Sequence, residues 1–83
     1  MISEDEKSFL QVGFKQTVRA LNESNVRKVF LAGDCEHKII DPVETLCSQT
    51  QAQLFYIPTM KELGKMCGIE VGASCAVVLD KKF

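Results

Sequence analysis

Three short apolar runs limit what this chain can fold into: Val29-Phe30-Leu31-Ala32, Leu54-Phe55-Tyr56-Ile57 and Val77-Val78-Leu79. Each is too short for a buried helix, carries branched or aromatic side chains, and is bounded by turn or breaker residues, so each predicts a buried strand. The first lies in a strand expected over Val26–Ala32 and ended by Gly33-Asp34. The second is stopped by Pro58, and the third closes a strand expected over 73–79. Helical patterns fill the gaps. Strands alternating with helices build a layered α/β domain with one sheet between helices, and 83 residues suffice for a single domain with a small core. Apolar residues make up 46% of the chain, a composition that packs instead of staying disordered.

The helical segments carry their own punctuation. Ser3 and Glu6 have capping-box spacing, which predicts a first helix through Phe9 and Leu10 that ends between Gln11 and Gly13. A second helix is expected from Gly13 to about Asn22. Phe14, Val18 and Leu21 form its apolar stripe, while Lys15, Gln16 and Arg19 can share another face. Asn22-Glu23-Ser24-Asn25 reads as a turn. Asp41-Pro42 places proline at the first position of a third helix, with Glu44 in its first turn and Val43, Leu46 and Cys47 on its buried face. Thr59-x-x-Glu62 is a second capping box. It opens a helix that turns Leu63, Met66 and Cys67 inward and ends at Gly68. Asp80-Lys81-Lys82-Phe83 reads as a frayed tail.

Between the fourth helix and the last strand stands Gly68-Ile69-Glu70-Val71-Gly72. A loop tip is an unusual place for two branched apolar residues, since loops run over the surface in water. Either the tip folds back under the protein or it is a small wedge that presses against a partner. At the other candidate site, Gly13 leaves the start of the second helix open, and free N–H groups there favour a phosphate.

Composition excludes several classes. A formal charge of −1, from ten basic and eleven acidic residues, rules out coating nucleic acid through bulk charge but permits recognition by a few placed cations. No apolar run approaches the ~18–20 residues that span a bilayer. The acidic opening Met1-Ile2-Ser3-Glu4-Asp5-Glu6 is unlike a secretory signal, so a cytosolic protein is expected. Cys35, Cys47, Cys67 and Cys75 include no Cys-x-x-Cys pair, and His37 is the one histidine. That spacing predicts neither a metal site nor another cofactor, and the last three cysteines, set among apolar neighbours, read as small core residues. A catalytic pair of Cys35 or Asp34 with His37 would need residues two apart on a loop to face each other, with no third group to orient them.

Three blocks taken together carry a resemblance: Gly13-Phe14-Lys15-Gln16-Thr17-Val18-Arg19, Ile57-Pro58-Thr59-Met60-Lys61-Glu62-Leu63-Gly64, and Gly68-Ile69-Glu70-Val71-Gly72-Ala73-Ser74. In these the chain resembles the kink-turn RNA-binding ribosomal-protein family, the superfamily of large-subunit proteins L-seven-Ae and L-thirty-e, and most of all its short Gram-positive bacterial branch. The resemblance implies a three-layer α/β/α sandwich with a mixed four-stranded sheet, the extra strand being a short one near Gln11 and Val12. It also implies a monomeric, non-catalytic partner for ribosomal or riboswitch RNA that carries a sharp bend and sheared G·A pairs. By matching positions, Gly13, Lys15, Gln16 and Arg19 would meet guanine edges in the widened groove. Ile69, Glu70 and Val71 would cover unstacked nucleotides, Lys61 would lie near the RNA backbone, and Asp34 matches an acidic position after the central strand. Two departures stand out. Many archaeal and eukaryotic members have Asn-Glu where this chain has Lys15-Gln16, and longer members continue into another helix after the last strand, so a less covered sheet face is expected here. The rival reading is a protein-docking module anchored by the Ile69–Val71 tip.

Overall fold

The computed structural model describes residues 2–23 and 26–80. Its elements in chain order are α1 (Glu4–Lys7), β1 (Leu10–Val12), α2 (Phe14–Glu23), β2 (Val26–Ala32), α3 (His37–Ser48), β3 (Gln53–Ile57), α4 (Met60–Met66) and β4 (Cys75–Leu79). The strands form one sheet in the order β1-β4-β2-β3. β2 and β3 are parallel, and β4 runs antiparallel to both β1 and β2. The ends of β1, β2 and β3 therefore gather at one end of the sheet, beside the start of β4.

Strand alternation sorts the side chains between two cores. Val29, Leu31, Cys75 and Val77 turn toward α2 and α3, meeting Ala20, Leu21, Val43 and Cys47. Phe30, Ala32, Ile57 and Val78 turn the other way, meeting Leu63 of α4, with Ile2 and Phe9 packed against them. Phe30 and Phe55 stack at 5.5 Å on that second face. The result is the three-layer α/β/α sandwich with a mixed four-stranded sheet. Cys47 and Cys75 are buried core residues, and burial, with Cys75 and Glu44 nearby, pushes the Cys47 thiol up to about 11.

Three local expectations are corrected. The first helix stops after one turn, and Phe9 and Leu10 lie beyond it. Leu10 and Val12 gain more from pairing with Val78 and Ala76 on the sheet than a short helix could return, since isolated helical turns are costly to nucleate. α3 starts at His37, not at Asp41-Pro42, and Pro42 sits inside it. The earlier start packs Ile39 and Ile40 against the first core, and the Ile39 and Ile40 N–H groups both donate to the Glu36 carbonyl, at 2.9 and 3.1 Å. That gain outweighs the hydrogen bond a proline forfeits in a helix interior. The last strand begins at Cys75. Ala73 and Ser74 instead bond sideways, Ala73 N–H to the Met60 carbonyl and the Ser74 carbonyl to Ala32 N–H. Glu23 belongs to α2, while Ser24 and Asn25 of the expected turn, and 81–83 of the expected tail, lie outside the described residues.

Glu6 ties α1 to the sheet. It is 5% exposed and forms both arms of a capping box with Ser3, while Lys28 Nζ reaches its two oxygens at 3.1 and 3.0 Å and Arg27 Nε stands 3.4 Å away. The Ser3 N–H bond first, then Lys28 and Arg27, hold its carboxyl below the usual range against the opposing effect of burial. A depressed folded-state pKa adds stability above the unfolded value, and that stability disappears as pH falls through the folded value. Glu6→Gln is therefore expected to cost about 1–3 kcal/mol at pH 7. The gap between the two melting temperatures should close as pH drops below ~4.3.

Thr17 makes the opposite point. It is fully buried, and its Oγ1 has no hydrogen-bond partner. A valine there keeps the shape and removes an unpaired hydroxyl, so Thr17→Val is expected to gain ~1 kcal/mol. The check is a urea midpoint that rises with its slope unchanged. A lower midpoint would mean the hydroxyl stabilises the fold.

Candidate functional site

The end of the sheet where three strands finish is laced together by backbone bonds. Gly13 N–H donates to the Cys75 carbonyl at 2.9 Å, Ala32 N–H to the Ser74 carbonyl at 2.9 Å, and Gly33 N–H to the Ile57 carbonyl at 2.8 Å. These bonds fix the start of α2, the loop after β2, and the approach to α4 against one another.

At the α2 start, Gly13 has φ +117°, and a Cβ there would come within 2.8 Å of Gln16 Oε1. Only glycine accepts both the left-handed backbone and the folded-back amide. The first turn of α2 carries no acidic residue. Lys15, Gln16 and Arg19, all exposed, line a cleft of about 160 Å³.

The tip is anchored by the end of α4. Gly68, at φ +78°, donates its N–H to the Lys65 carbonyl at 3.1 Å, and Ile69 N–H donates to the Gly64 carbonyl at 3.0 Å. These are the two bonds of a Schellman cap. The apolar contact that accompanies such a cap is also present, because Ile69 packs against the second core. Gly64 lies so close to the Val71 carbonyl that a Cβ would collide with it, which presses the far side of the tip onto the helix. The start of α4 is held twice. Thr59 Oγ1 accepts from Glu62 N–H at 3.1 Å, and Asp34 Oδ1 accepts from Met60 N–H at 2.9 Å.

The site residues named from the sequence therefore fall into two groups at one end of the sheet. Gly13, Lys15, Gln16 and Arg19 form the α2 group. Asp34, Lys61, Ile69, Glu70 and Val71 form the group around α4 and its tip. Within the second group the roles divide. Ile69 is half-buried and works as the cap's apolar anchor, whereas Glu70 is exposed and Val71 is 71% exposed. The first explanation for the tip, folding back under the protein, thus holds for Ile69, while Val71 stays at the surface. The Asp34 carboxylate is engaged with α4. Sequence reasoning missed Met60, which is 37% exposed beside the tip. Helical spacing puts Met60 three residues before Leu63 and seven before Cys67, on the same face, so no signal in the sequence marked it as exposed.

Neither catalytic pair is assembled. Asp34 accepts from Met60, Cys35 Sγ donates to the Ala32 carbonyl at 3.1 Å, and His37 is exposed at the start of α3. Burial, helped by nearby Cys75, pushes the Cys35 thiol up, away from nucleophilic character. Among the described residues no three His, Cys, Asp or Glu side chains could hold a metal ion, and no helix is long and apolar enough to cross a membrane.

Fold and site together define an α/β/α domain with a glycine-opened, cation-bearing helix start at the same sheet end as a helix-anchored loop tip. The chain belongs to the Ribosomal protein L7Ae/L30e/S12e/Gadd45 family, which it matches over residues 3–83. It is similar to "RNA-binding protein BH0128" of Halalkalibacterium halodurans, with 43% identity over 72 residues covering 87% of each chain. It is equally similar, at 43% over 65 residues, to "RNA-binding protein TTE2299" of Caldanaerobacter subterraneus subsp. tengcongensis, covering 78% of this chain and 79% of that one. With "RNA-binding protein YbxF" of Geobacillus stearothermophilus it shares 37% over 68 residues, 82% of this chain and 83% of the relative.

Proposed function

We propose that residues 1–83 act as one non-catalytic RNA-binding domain that recognises a kink-turn: a sharply bent RNA with sheared G·A pairs. The observation that supports the reading is the Gly13 N–H bond to the Cys75 carbonyl, which sets the start of α2 and its Lys15–Gln16–Arg19 cleft beside the strand that follows the tip, where Val71 is exposed. The relatives, each named as an RNA-binding protein, support the ligand class.

The chemistry follows from what RNA offers. The A-form major groove is too narrow for side chains, so sequence is read where helices are interrupted and bases unstack. A bend with G·A pairs widens that groove. Arg19 or Lys15 then donates to guanine O6 and N7, and Gln16, which can both donate and accept, meets a second edge. Lys15-Gln16 in place of Asn-Glu adds a charge and gives up the carboxylate that would accept from guanine N–H groups. The open N–H groups at the start of α2 favour a phosphate, and Lys61 adds a cation near the backbone. Val71 covers an extruded base, with Glu70 beside it. A net charge of −1 suits this mode, since a few local contacts and base edges carry the specificity. The natural setting is the cytoplasm, with the protein a monomer on ribosomal or riboswitch RNA.

The test is a titration with a short bent RNA carrying tandem G·A pairs, set against the same RNA with those pairs made Watson–Crick. The first should bind at least ~10-fold tighter. Equal affinities would contradict the reading, and RNA-independent, salt-insensitive capture of a protein would favour the docking module instead.

A further inference from the structure

The amide of Gln16 is held with one end turned inward. A Cβ on Gly13 would stand 2.8 Å from Gln16 Oε1 and 3.7 Å from its Cδ, with Nε2 farther off than 4 Å. The amide oxygen is thus folded onto the start of α2, and the NH2 group points away from it. The residue lines a cleft with Lys15 and Arg19, and the first turn of α2 carries no acidic residue. A lysine ammonium and an arginine guanidinium donate and never accept. With its oxygen turned back, Gln16 adds only donors to them. The three side chains that line the cleft therefore offer a ligand no acceptor.

Resting on the RNA reading above, we propose that Gln16 sets the nucleobase specificity of this cleft by acting as a donor alone. The guanine it meets is read through its acceptor edge, O6 and N7, and the guanine N–H groups are left unread. Guanine presents two acceptors on that edge, whereas adenine presents N7 beside an N6 donor. Donor side chains match the first and set donor against donor on the second, which leaves polar groups unpaired where water has been displaced. Guanine is therefore favoured over adenine without a carboxylate in the site. A glutamate at position 16 would undo the match, since it only accepts. A phosphate is the other chemistry that an all-donor cleft suits, and the base edge itself tells the two apart.

The experiment titrates wild type, Gln16→Met and Gln16→Glu with the bent tandem-G·A RNA and with its Watson–Crick control. Wild type is also titrated with tandem-G·A RNA carrying 7-deazaguanine in those pairs, which replaces N7 by C–H and keeps the edge that a sheared pair uses. For the variants the quantity read is the preference for tandem-G·A RNA over the control, which cancels any general repulsion between a new carboxylate and RNA. Wild type should lose about fivefold to tenfold on 7-deazaguanine. Gln16→Met, which keeps the length and removes the donors, should lower the preference about threefold to tenfold, and Gln16→Glu should lower it further. Gln16 is exposed, so both melting temperatures should stay near that of wild type. No loss on Gln16→Met, or a Gln16→Glu preference at or above that of Gln16→Met, overturns the proposal. Wild-type affinity unchanged by 7-deazaguanine makes the cleft a phosphate site and overturns it too, while leaving the tandem-G·A preference standing. If wild type itself fails to prefer the tandem-G·A RNA over its Watson–Crick control, the RNA reading and this proposal fall together.

Discussion

Alanine at Gly64 is expected to cost about 3 kcal/mol or more, the largest loss expected at any of the five glycines. Gly64 is buried in α4. The added carbon would run into the Val71 carbonyl oxygen, and would stand 3.1 Å from the Val71 carbonyl carbon and 3.2 Å from Gly72 Cα. All three are backbone atoms, so no side chain can rotate aside. Either α4 lifts from the sheet or the tip moves off α4. A domain of this size loses several degrees of melting temperature per kcal/mol, so a fall of more than about 10 °C is expected. Gly68 provides the internal comparison. It lies four residues on, with φ +78° and nothing near its would-be Cβ, so Gly68→Ala should cost only ~1 kcal/mol, the penalty of a left-handed backbone. A Gly64→Ala melting curve that overlays wild type would show that the tip is not clamped as described.

The second large effect concerns binding instead of folding. Arg19→Ala is expected to weaken binding to tandem-G·A RNA by about 10- to 100-fold, the discrimination of one good bidentate contact to guanine. Gln16→Ala should weaken it less, because a neutral amide bond is weaker than a charge-assisted one. Both residues are exposed, so neither substitution should shift the melting temperature appreciably. Arg19→Lys separates geometry from charge: a lysine keeps the cation and loses the planar fork, and only partial recovery is expected. On the Watson–Crick control RNA the variants should differ little from wild type. A uniform loss on both RNAs would make Arg19 a phosphate contact that carries no sequence information.

Most of the architecture was readable along the chain because its signals are local. Strand β2 spans the predicted Val26–Ala32, where an apolar run ends at Gly33-Asp34, and α4 begins and ends where Thr59 and Gly68 place its caps. The misses share a cause. Leu10 and Val12 carry too little sequence to declare a strand, and they become one only because β4 lies alongside. It was the family resemblance that placed a strand there. Pro42 is a strong local stop, yet burying Ile39 and Ile40 lets α3 start before it. The site divides in the same way. The Lys15–Gln16–Arg19 face follows from helical spacing, and Gly13 from the need for an open turn. Whether Ile69 or Val71 faces water depends on the closeness of Gly64 to the Val71 backbone, which no spacing rule contains. Asp34 reads as an isolated loop carboxylate until α4 brings Met60 N–H to it.

One spectrum tests the central claim most directly: the amide signals of isotope-labelled protein followed as bent tandem-G·A RNA is added. Gly13 through Gln16 and Ile69 through Gly72 should shift together along one binding curve, while Gln53 through Tyr56, on the β3 edge of the sheet, stay in place. Shifts confined to one of the two groups, or centred on the β3 edge, would contradict it.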